Sequence, residues 1–219
     1  MSYGVYSLET LKVLWTDLTG VAETTYERLL LQLPDARRDY ATHYKLAEDR
    51  QRSIAAGALL QLAMDRAGVS DRKLVTGPQG KPLLDGAADF HFSLSHSGSI
   101  VLCAYGSSPM GADVEEPGRP LPKIVQRKCP PGEWQWLQAQ PDLNAAFFRL
   151  WVLKEAYVKA LGTGLTLGLD QYEIQFSDTV RVSRNGCVEP WIFHEASLNS
   201  YPAVVCCKAS TCDWEQVRF

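Results

Sequence analysis

The chain has 219 residues, a length that suits one large domain or two small ones and that buries a core without disulfide bonds. Hydrophobic residues make up 46% and charged residues 21%, which is typical of a folded globular protein and excludes extensive disorder. The net charge of −3 and the isoelectric point of about 5.8 lack the basic excess of a general nucleic-acid-binding protein, so that class is disfavoured.

The N-terminal segment has no basic stretch followed by an unbroken apolar run, so a secretory signal is not predicted. No stretch approaches the roughly 20 apolar residues of a membrane span. The six cysteines include no C-x-x-C pair, which favours free thiols in a reducing cytosol over zinc or dithiol chemistry. Short strands are predicted at residues 3–6 and 11–15.

A helix is predicted from about residue 50 to residue 67. Ile54, Ala58 and Leu62 recur there at a spacing of four residues, which is one face of a helix, and Gly68 is a typical stop signal. The following segment, VTGPQGKPLLDG at residues 75–86, is rich in Gly and Pro and is therefore predicted to be a loop.

Two strands are predicted after this loop. Residues 90–95 alternate apolar and polar side chains, so Phe90, Phe92 and Leu94 are expected to share one face. The segment SHSGS turns the chain, and residues 100–105 form the returning strand.

The second half of the chain mixes helices and strands. Residues 110–116 predict a strand, residues 133–140 and 144–161 predict helices, and residues 170–219 alternate between short β-like runs and turns. The fold class is therefore α+β, and we expect two halves, residues 1–105 and 106–219.

The strand at residues 110–116 carries two carboxylates on one side. Asp113 and Glu115 lie two residues apart, whereas Ala112 and Val114 face the core. Adjacent carboxylates repel each other, and a hard cation such as Mg²⁺ removes that conflict. A strand with a merely charged outer face is the alternative that a lone D-x-E leaves open.

The helix at residues 144–161 carries Glu155 and Lys159 four residues apart, on neighbouring turns of one face. They are either a surface ion pair or a third metal carboxylate and a cation for a phosphate. His96, after Ser95 at a strand end, is either a packed residue or a phosphate donor. Lys81, in a loop, is either solvated or a contact for an anionic ligand.

These segments together resemble phosphopantetheinyl transferases of the Sfp type in order and spacing. The matching motifs are GKP at residues 80–82, FSLSHSG at 92–98, GADVE at 111–115 and LWVLKEAYVKALGTGL at 150–165. The resemblance runs from about residue 37 to residue 176. It implies two similar α+β halves related by a pseudo-twofold axis, a monomer, and coenzyme A bound between the halves.

The resemblance also implies site residues. Asp113, Glu115 and Glu155 would hold Mg²⁺, and Lys159 would steady the pyrophosphate. Coenzyme A would also contact the residues Arg37, Arg52, Ser53, Lys81, Ser95 and His96. Glu133 resembles a family glutamate that assists the metal site.

The implied activity is that of a holo-[acyl-carrier-protein] synthase type enzyme. The phosphopantetheine arm of coenzyme A would pass to a serine of an apo acyl or peptidyl carrier protein, with Glu155 or a metal-bound water as the base, and adenosine 3′,5′-bisphosphate would be released. The carriers of fatty-acid, polyketide and nonribosomal-peptide synthesis all remain open. A basic run is predicted to dock the carrier: Arg119, Lys123, Arg127 and Lys128.

Two alternatives stay open at this point. A magnesium-dependent nuclease or phosphohydrolase would also use clustered carboxylates and a lysine. A non-catalytic module that binds coenzyme A or a carrier would need no intact metal site. The acidic isoelectric point disfavours nucleic-acid substrates, so neither nucleic acid nor a membrane is expected as a partner, and a cytoplasmic location is expected.

Overall fold

The computed structural model describes residues 10–70, 73–86, 89–118 and 129–219, so the strand predicted at residues 3–6 lies outside it. Within these ranges the strands are β1 (Thr10–Asp17), β2 (Leu74–Thr76), β3 (Pro82–Leu84), β4 (His91–Ser97), β5 (Ile100–Gly106), β6 (Gly111–Val114), β7 (Glu173–Phe176), β8 (Val180–Arg184), β9 (Cys187–Val188), β10 (Ile192–Leu198), β11 (Tyr201–Cys207) and β12 (Thr211–Gln216). The helices are α1 (Glu23–Gln32), α2 (Asp35–Thr42), α3 (Ala47–Arg66), α4 (Pro131–Gln138) and α5 (Leu143–Leu161).

The first sheet has the strand order β12-β1-β5-β4. Its central strand β5 is apolar along its whole length because both of its faces are covered. Val101 and Cys103 pack with helix α3, whereas Ile100 and Leu102 belong to a second cluster on the opposite face. Helices α1 and α2 pack in turn against α3.

Strand β4 confirms the predicted alternation. Phe90, Phe92 and Leu94 all join the cluster beneath α3. Strand β4 pairs with β5 in an antiparallel register, so the predicted hairpin is present.

The second sheet has the strand order β10-β11-β6, and helix α5 packs against it. The bounds of α5 follow from its caps. The Asp142 side chain accepts hydrogen bonds from the backbone N–H groups of Asn144 and Ala145, and Gly162 ends the helix with a φ of 69°. Each main sheet therefore carries one long helix, which confirms the α+β class.

The two sheets share a core. Met110, Ala112 and Val114 of the second half pack in one buried cluster with residues of β1 and β5, such as Val13 and Leu102. The last strand, β12, runs parallel to β1 and forms the outer strand of the first sheet, so the C-terminal end of the chain completes the sheet that β1 begins. The division near residue 106 stays a prediction.

The segment at residues 75–86 differs from its prediction as a loop. Strands β2 and β3 form a small antiparallel hairpin around a short 3-10 turn at Pro78–Gly80. Pro78 and Gly80 belong to the turn, whereas Pro82 begins β3; the two strands have only three residues each, too few to show an alternating pattern. Strands β7, β8 and β9 form a further small sheet. In the ranges that the structure describes, no helix is both long and apolar enough to cross a bilayer.

Candidate active site

Strand β6 lies very close to helix α5, and the close approach begins at Gly111. A Cβ atom at this position would overlap the carbonyl oxygen of Ala156 and the amide nitrogen of Ala160 on the helix. Glycine is the one residue type that fits without displacing the helix. The close packing brings Asp113, two residues further along the strand, within reach of Lys159 near the end of the helix.

Asp113 is almost fully buried, with 4% of its surface exposed. Its Oδ1 atom accepts hydrogen bonds from Lys159 Nζ at 2.6 Å and from Ser95 Oγ at 2.7 Å. Its Oδ2 atom is also buried but has no hydrogen-bond partner. Burial raises the pKa of Asp113, and Lys159 opposes this effect. Since buried polar atoms normally have partners, this oxygen marks a place where a further group would bind.

Glu115 lies beside Asp113, and both of its oxygens are held. Oε2 accepts a hydrogen bond from Ser97 Oγ at 2.8 Å, and Oε1 accepts one from Trp151 Nε1 at 3.2 Å. Glu155, on helix α5, lines the same cavity. Burial raises the pKa of Glu155, and the nearby Asp113 carboxylate raises it further. Three carboxylates therefore share a small region that holds more negative charge than its protein partners neutralise.

This donor set fits a hard cation. Among the described residues, no group of three or more His, Cys, Asp or Glu side chains is arranged so that it could hold a metal ion by itself. Mg²⁺ does not require an all-protein set of ligands, because it usually keeps several waters and takes further oxygen ligands from substrate phosphates. The unpartnered Asp113 Oδ2, with Glu115 and Glu155 beside it, offers oxygen ligands of the kind that Mg²⁺ prefers.

A cavity of about 690 Å³ lies in front of this cluster. That volume is within the usual range of about 300–1,000 Å³ for small-molecule sites. Its walls come from α2, α3, β4, β6, α5 and the β2–β3 hairpin. The predicted site residues along its walls are Arg37, Ser53, Ser95, His96, Asp113, Glu115, Glu155 and Lys159.

Arg37 and Ser53 form a second polar region of this cavity. Arg37 Nη2 donates to the backbone carbonyl of Ser53 at 2.8 Å, and its guanidinium lies 4.9 Å from the centre of the Tyr40 ring. Arg37 Nε and Ser53 Oγ are buried without hydrogen-bond partners. Burial lowers the pKa of Arg37, which still stays charged at any physiological pH. A cation with an unused donor beside an unused hydroxyl is suited to an anionic ligand.

His96 separates this cavity from a second cavity that Arg52 lines. The His96 side chain is accessible from both cavities, but the cavity walls still enclose much of the imidazole ring. This enclosure lowers the pKa of His96, and the charges of Arg52 and Lys159 lower it further, so the neutral ring is favoured. Arg52 donates to the Gly98 carbonyl at 2.9 Å and to Asp49 at 2.6 Å. The structure thus brings Arg52 to the second cavity and not to the first.

Lys81, which was predicted to contact coenzyme A, is not among the residues that line the first cavity. Its ammonium group donates to two backbone carbonyls, that of Met110 at 2.9 Å and that of Lys159 at 2.7 Å. Burial, followed by the charge of Lys159, lowers the pKa of Lys81 to about 8. These contacts connect the β2–β3 hairpin to the end of α5. The neighbours Gly80 and Pro82, which belong to the predicted GKP motif, line the cavity itself.

Glu133 lies apart from the carboxylate cluster. Both of its oxygens accept hydrogen bonds from Lys154 Nζ, at 2.6 Å and 2.8 Å, and Oε1 also accepts the backbone N–H of Ile174 at 2.7 Å. Glu133 is not among the residues that line the cavity. No contact of Glu133 therefore supports its predicted assistance to the metal site.

Sequence reasoning also missed contacts. Ser97 and Trp151 hold Glu115; the spacing of two residues between the serines of FSLSHS is the signal that could have indicated Ser97, and no sequence signal indicates Trp151. The run that was predicted to dock a carrier lies outside the described residues: Arg119, Lys123, Arg127 and Lys128.

Residues 109–206 match the family model of the 4′-phosphopantetheinyl transferase superfamily. The chain is 32% identical over 162 residues to a 4′-phosphopantetheinyl transferase of Bacillus subtilis, an alignment that covers 72% of each protein. The chain belongs to this superfamily. It is also 30% identical over 177 residues to the 4′-phosphopantetheinyl transferase HetI of Nostoc sp., which covers 76% of this chain and 74% of that protein.

A third relative is the 4′-phosphopantetheinyl transferase gsp of Aneurinibacillus migulanus, at 34% identity over 131 residues. That alignment covers 58% of this chain and 54% of the relative. The matched residues include Asp113 in β6, Glu115 directly after β6, and Glu155 and Lys159 in α5. The predicted family is confirmed, and the chain is a transferase of the phosphopantetheinyl class.

Proposed function

We propose that this transferase moves the phosphopantetheine arm of coenzyme A onto a serine of an apo carrier protein and releases adenosine 3′,5′-bisphosphate. The observation that carries this proposal is the buried Asp113 Oδ2, which has no partner although it lies beside Glu115, Glu155 and Lys159. A ligand that is rich in phosphate, bound together with a cation, satisfies all of these groups at once.

Coenzyme A is held through its phosphates in this proposal. Arg37 Nε and Ser53 Oγ, the two unused polar atoms of the far wall, donate to the 3′-phosphate. Lys159 contacts the pyrophosphate, because its positive charge lines the same cavity beside the carboxylate cluster. His96 and Ser95 line the same cavity and add further donors, whereas Arg52 reaches coenzyme A only where the ligand extends past His96 into the second cavity.

The three carboxylates Asp113, Glu115 and Glu155 would hold Mg²⁺. When bound, Mg²⁺ supplies Lewis-acid stabilisation of the charge that develops on the phosphoryl oxygens. The carrier serine oxygen forms a bond to the β-phosphorus of coenzyme A, and the bond from this phosphorus to the bridging oxygen breaks. Glu155 accepts the serine proton, and Lys159 stabilises the negative charge of the departing adenosine 3′,5′-bisphosphate.

The carrier protein supplies the nucleophile and docks through charge. The basic run at residues 119–128 stays our prediction for the surface that steers an acidic carrier helix. Charge reversal at Lys123 and Arg127 should lower kcat/KM for the carrier and weaken its dependence on salt. An unchanged kcat/KM would mean that the run is only a solvated surface.

We further propose a monomeric enzyme of the cytoplasm that acts without a nucleic-acid or membrane partner. The net charge of −3 supports the exclusion of nucleic acid. All six cysteines are free thiols, and free thiols are typical of a reducing compartment.

The experiment follows the release of adenosine 3′,5′-bisphosphate from coenzyme A and Mg²⁺, with and without an apo carrier protein. A transferase releases adenosine 3′,5′-bisphosphate only when the carrier is present, and it releases one molecule for each carrier molecule that is modified. Release without any carrier would instead indicate a phosphohydrolase, and no release with fatty-acid, polyketide and peptide carriers would indicate a binding module. Asp113→Asn keeps the shape of the cavity but removes one carboxylate charge. This variant should abolish the release of adenosine 3′,5′-bisphosphate.

A further inference from the structure

Three serines alternate along strand β4, at Ser93, Ser95 and Ser97. Because side chains in a strand alternate between its two faces, all three lie on the same face. This face meets β6, the outer strand of the second sheet. In the part of the chain that the structure describes, β4 pairs with β5 and β6 pairs with β11, and no backbone hydrogen bond joins β4 to β6. The serine hydroxyls connect the two sheets instead, and we call these three residues the serine ladder.

The first two members of the serine ladder fix the start of β6. Ser93 Oγ accepts the backbone N–H of Ala112 at 2.9 Å, so it holds the strand without touching a carboxylate. Ser95 Oγ donates to Asp113 Oδ1 at 2.7 Å. Since Lys159 Nζ donates to the same oxygen at 2.6 Å, Oδ2 is the oxygen of Asp113 that is left for another ligand.

Ser97 combines both kinds of contact. Its hydroxyl accepts the backbone N–H of Glu116 at 2.9 Å and donates to Glu115 Oε2 at 2.8 Å. Trp151 Nε1 holds the other oxygen of Glu115 from helix α5 at 3.2 Å. The Glu115 carboxylate is therefore oriented from two sides before any ligand arrives.

We propose that Ser97 is a positioning residue, which orients the Glu115 carboxylate for the cation and so determines how tightly Mg²⁺ binds. The proposal deepens the proposed function and rests on it. Groups that orient a metal ligand contribute strongly to metal affinity, because they fix the carboxylate before the ion arrives, and their loss typically weakens binding by about 10–100-fold. Ser93 is the matched control, because it belongs to the same ladder and holds only a backbone amide.

The test is calorimetric titration of MgCl₂ into the coenzyme A-loaded protein without carrier, where no transfer takes place. Ser97→Ala should raise the Kd for Mg²⁺ by about 10-fold or more, whereas Ser97→Thr, which keeps the hydroxyl, should stay within about 3-fold of the wild type. Ser93→Ala should lower the melting temperature but leave the Kd within about 3-fold.

Three results overturn the proposal: an unchanged Kd in Ser97→Ala, an equally raised Kd in Ser93→Ala, or no rescue by Ser97→Thr. If Ser97→Ala does not fold, Ser97→Cys replaces the hydroxyl by a weaker hydrogen-bond donor to Glu115, and an unchanged Kd there also overturns it. Transfer of the arm by the wild type, measured on the carrier, is independent of these titrations. A failure of the ladder proposal is therefore distinct from a failure of the proposed function.

Discussion

The buried ion pair between Glu133 and Lys154 gives a prediction about stability. The Glu133 side chain is 0% exposed and the Lys154 side chain is 3% exposed. The pair joins helix α4 to helix α5, and the hydrogen bond from the Ile174 N–H adds the start of β7. Glu133→Gln keeps the shape of the side chain but leaves the Lys154 ammonium without its counter-charge.

Removal of one partner from a buried ion pair costs about 3–5 kcal/mol, because the remaining charge is left uncompensated. For a chain of this size, where 1 kcal/mol shifts the melting temperature by about 2–4 °C, the expected loss is on the order of 10 °C. The loss should shrink as the pH rises. Burial lowers the pKa of Lys154 and Glu133 opposes this effect. Without Glu133, the folded state loses the proton of Lys154 at a lower pH than the unfolded state, so stability increases with pH above that point.

The assay is urea unfolding of Glu133→Gln, Lys154→Met and the double variant at pH 7, with Mg²⁺ affinity measured on each folded protein. The double variant should lose less stability than the sum of the two single variants, because neither partner remains alone. Mg²⁺ affinity should stay within about 3-fold of the wild type, because Glu133 lies apart from the carboxylate cluster. Unchanged stability together with a large loss of Mg²⁺ affinity would refute this reasoning and place Glu133 at the metal.

Three further predictions concern the strand, the cavity and the hairpin. Gly111→Ala should destabilise the fold by about 1–3 kcal/mol, because a methyl group there overlaps the backbone of α5. Thermal unfolding measures this loss, and a variant as stable as the wild type would contradict the prediction. Arg37→Met should raise KM for coenzyme A by about 10-fold or more, because the guanidinium is assigned to the 3′-phosphate. KM for 3′-dephospho-coenzyme A should stay nearly unchanged. An equal increase in KM for both substrates would refute the assignment. Lys81, with a folded pKa of about 8 against 10.5 for the free side chain, should make stability rise with pH between these values, because the unfolded chain binds the extra proton there. Urea denaturation at pH 8 and at pH 10.5 measures this rise in the free energy of unfolding, and Lys81→Met should remove it. The same rise in Lys81→Met as in the wild type would contradict the prediction.

Local sequence patterns were sufficient for the parts of the fold that depend on neighbouring residues. The alternation of Phe90, Phe92 and Leu94 predicted the buried face of β4, and the caps of α5 follow from Asp142 and Gly162. The pattern also predicted that Asp113 in β6 and Glu115 directly after it lie on one side, with Ala112 and Val114 in the core. These features were predictable because side-chain direction in a strand depends only on position along it.

Contacts between distant segments were not predictable in the same way. The sequence does not indicate that Lys81 donates to the backbone carbonyls of Met110 and Lys159, nor that Lys154 pairs with Glu133. A charged residue in a motif has several partners within reach, and tertiary packing selects one of them. The pairing of β12 with β1 depends likewise on the whole fold.

The central claim is the transfer of the phosphopantetheine arm to a carrier, and intact-mass spectrometry of an apo carrier protein tests it most directly. Incubation with this transferase, coenzyme A and Mg²⁺ should add about 340 Da, one phosphopantetheinyl group, to the carrier, and the gain should disappear in Asp113→Ala and Glu155→Ala. No gain in mass on any of the fatty-acid, polyketide and peptide carriers would contradict the account.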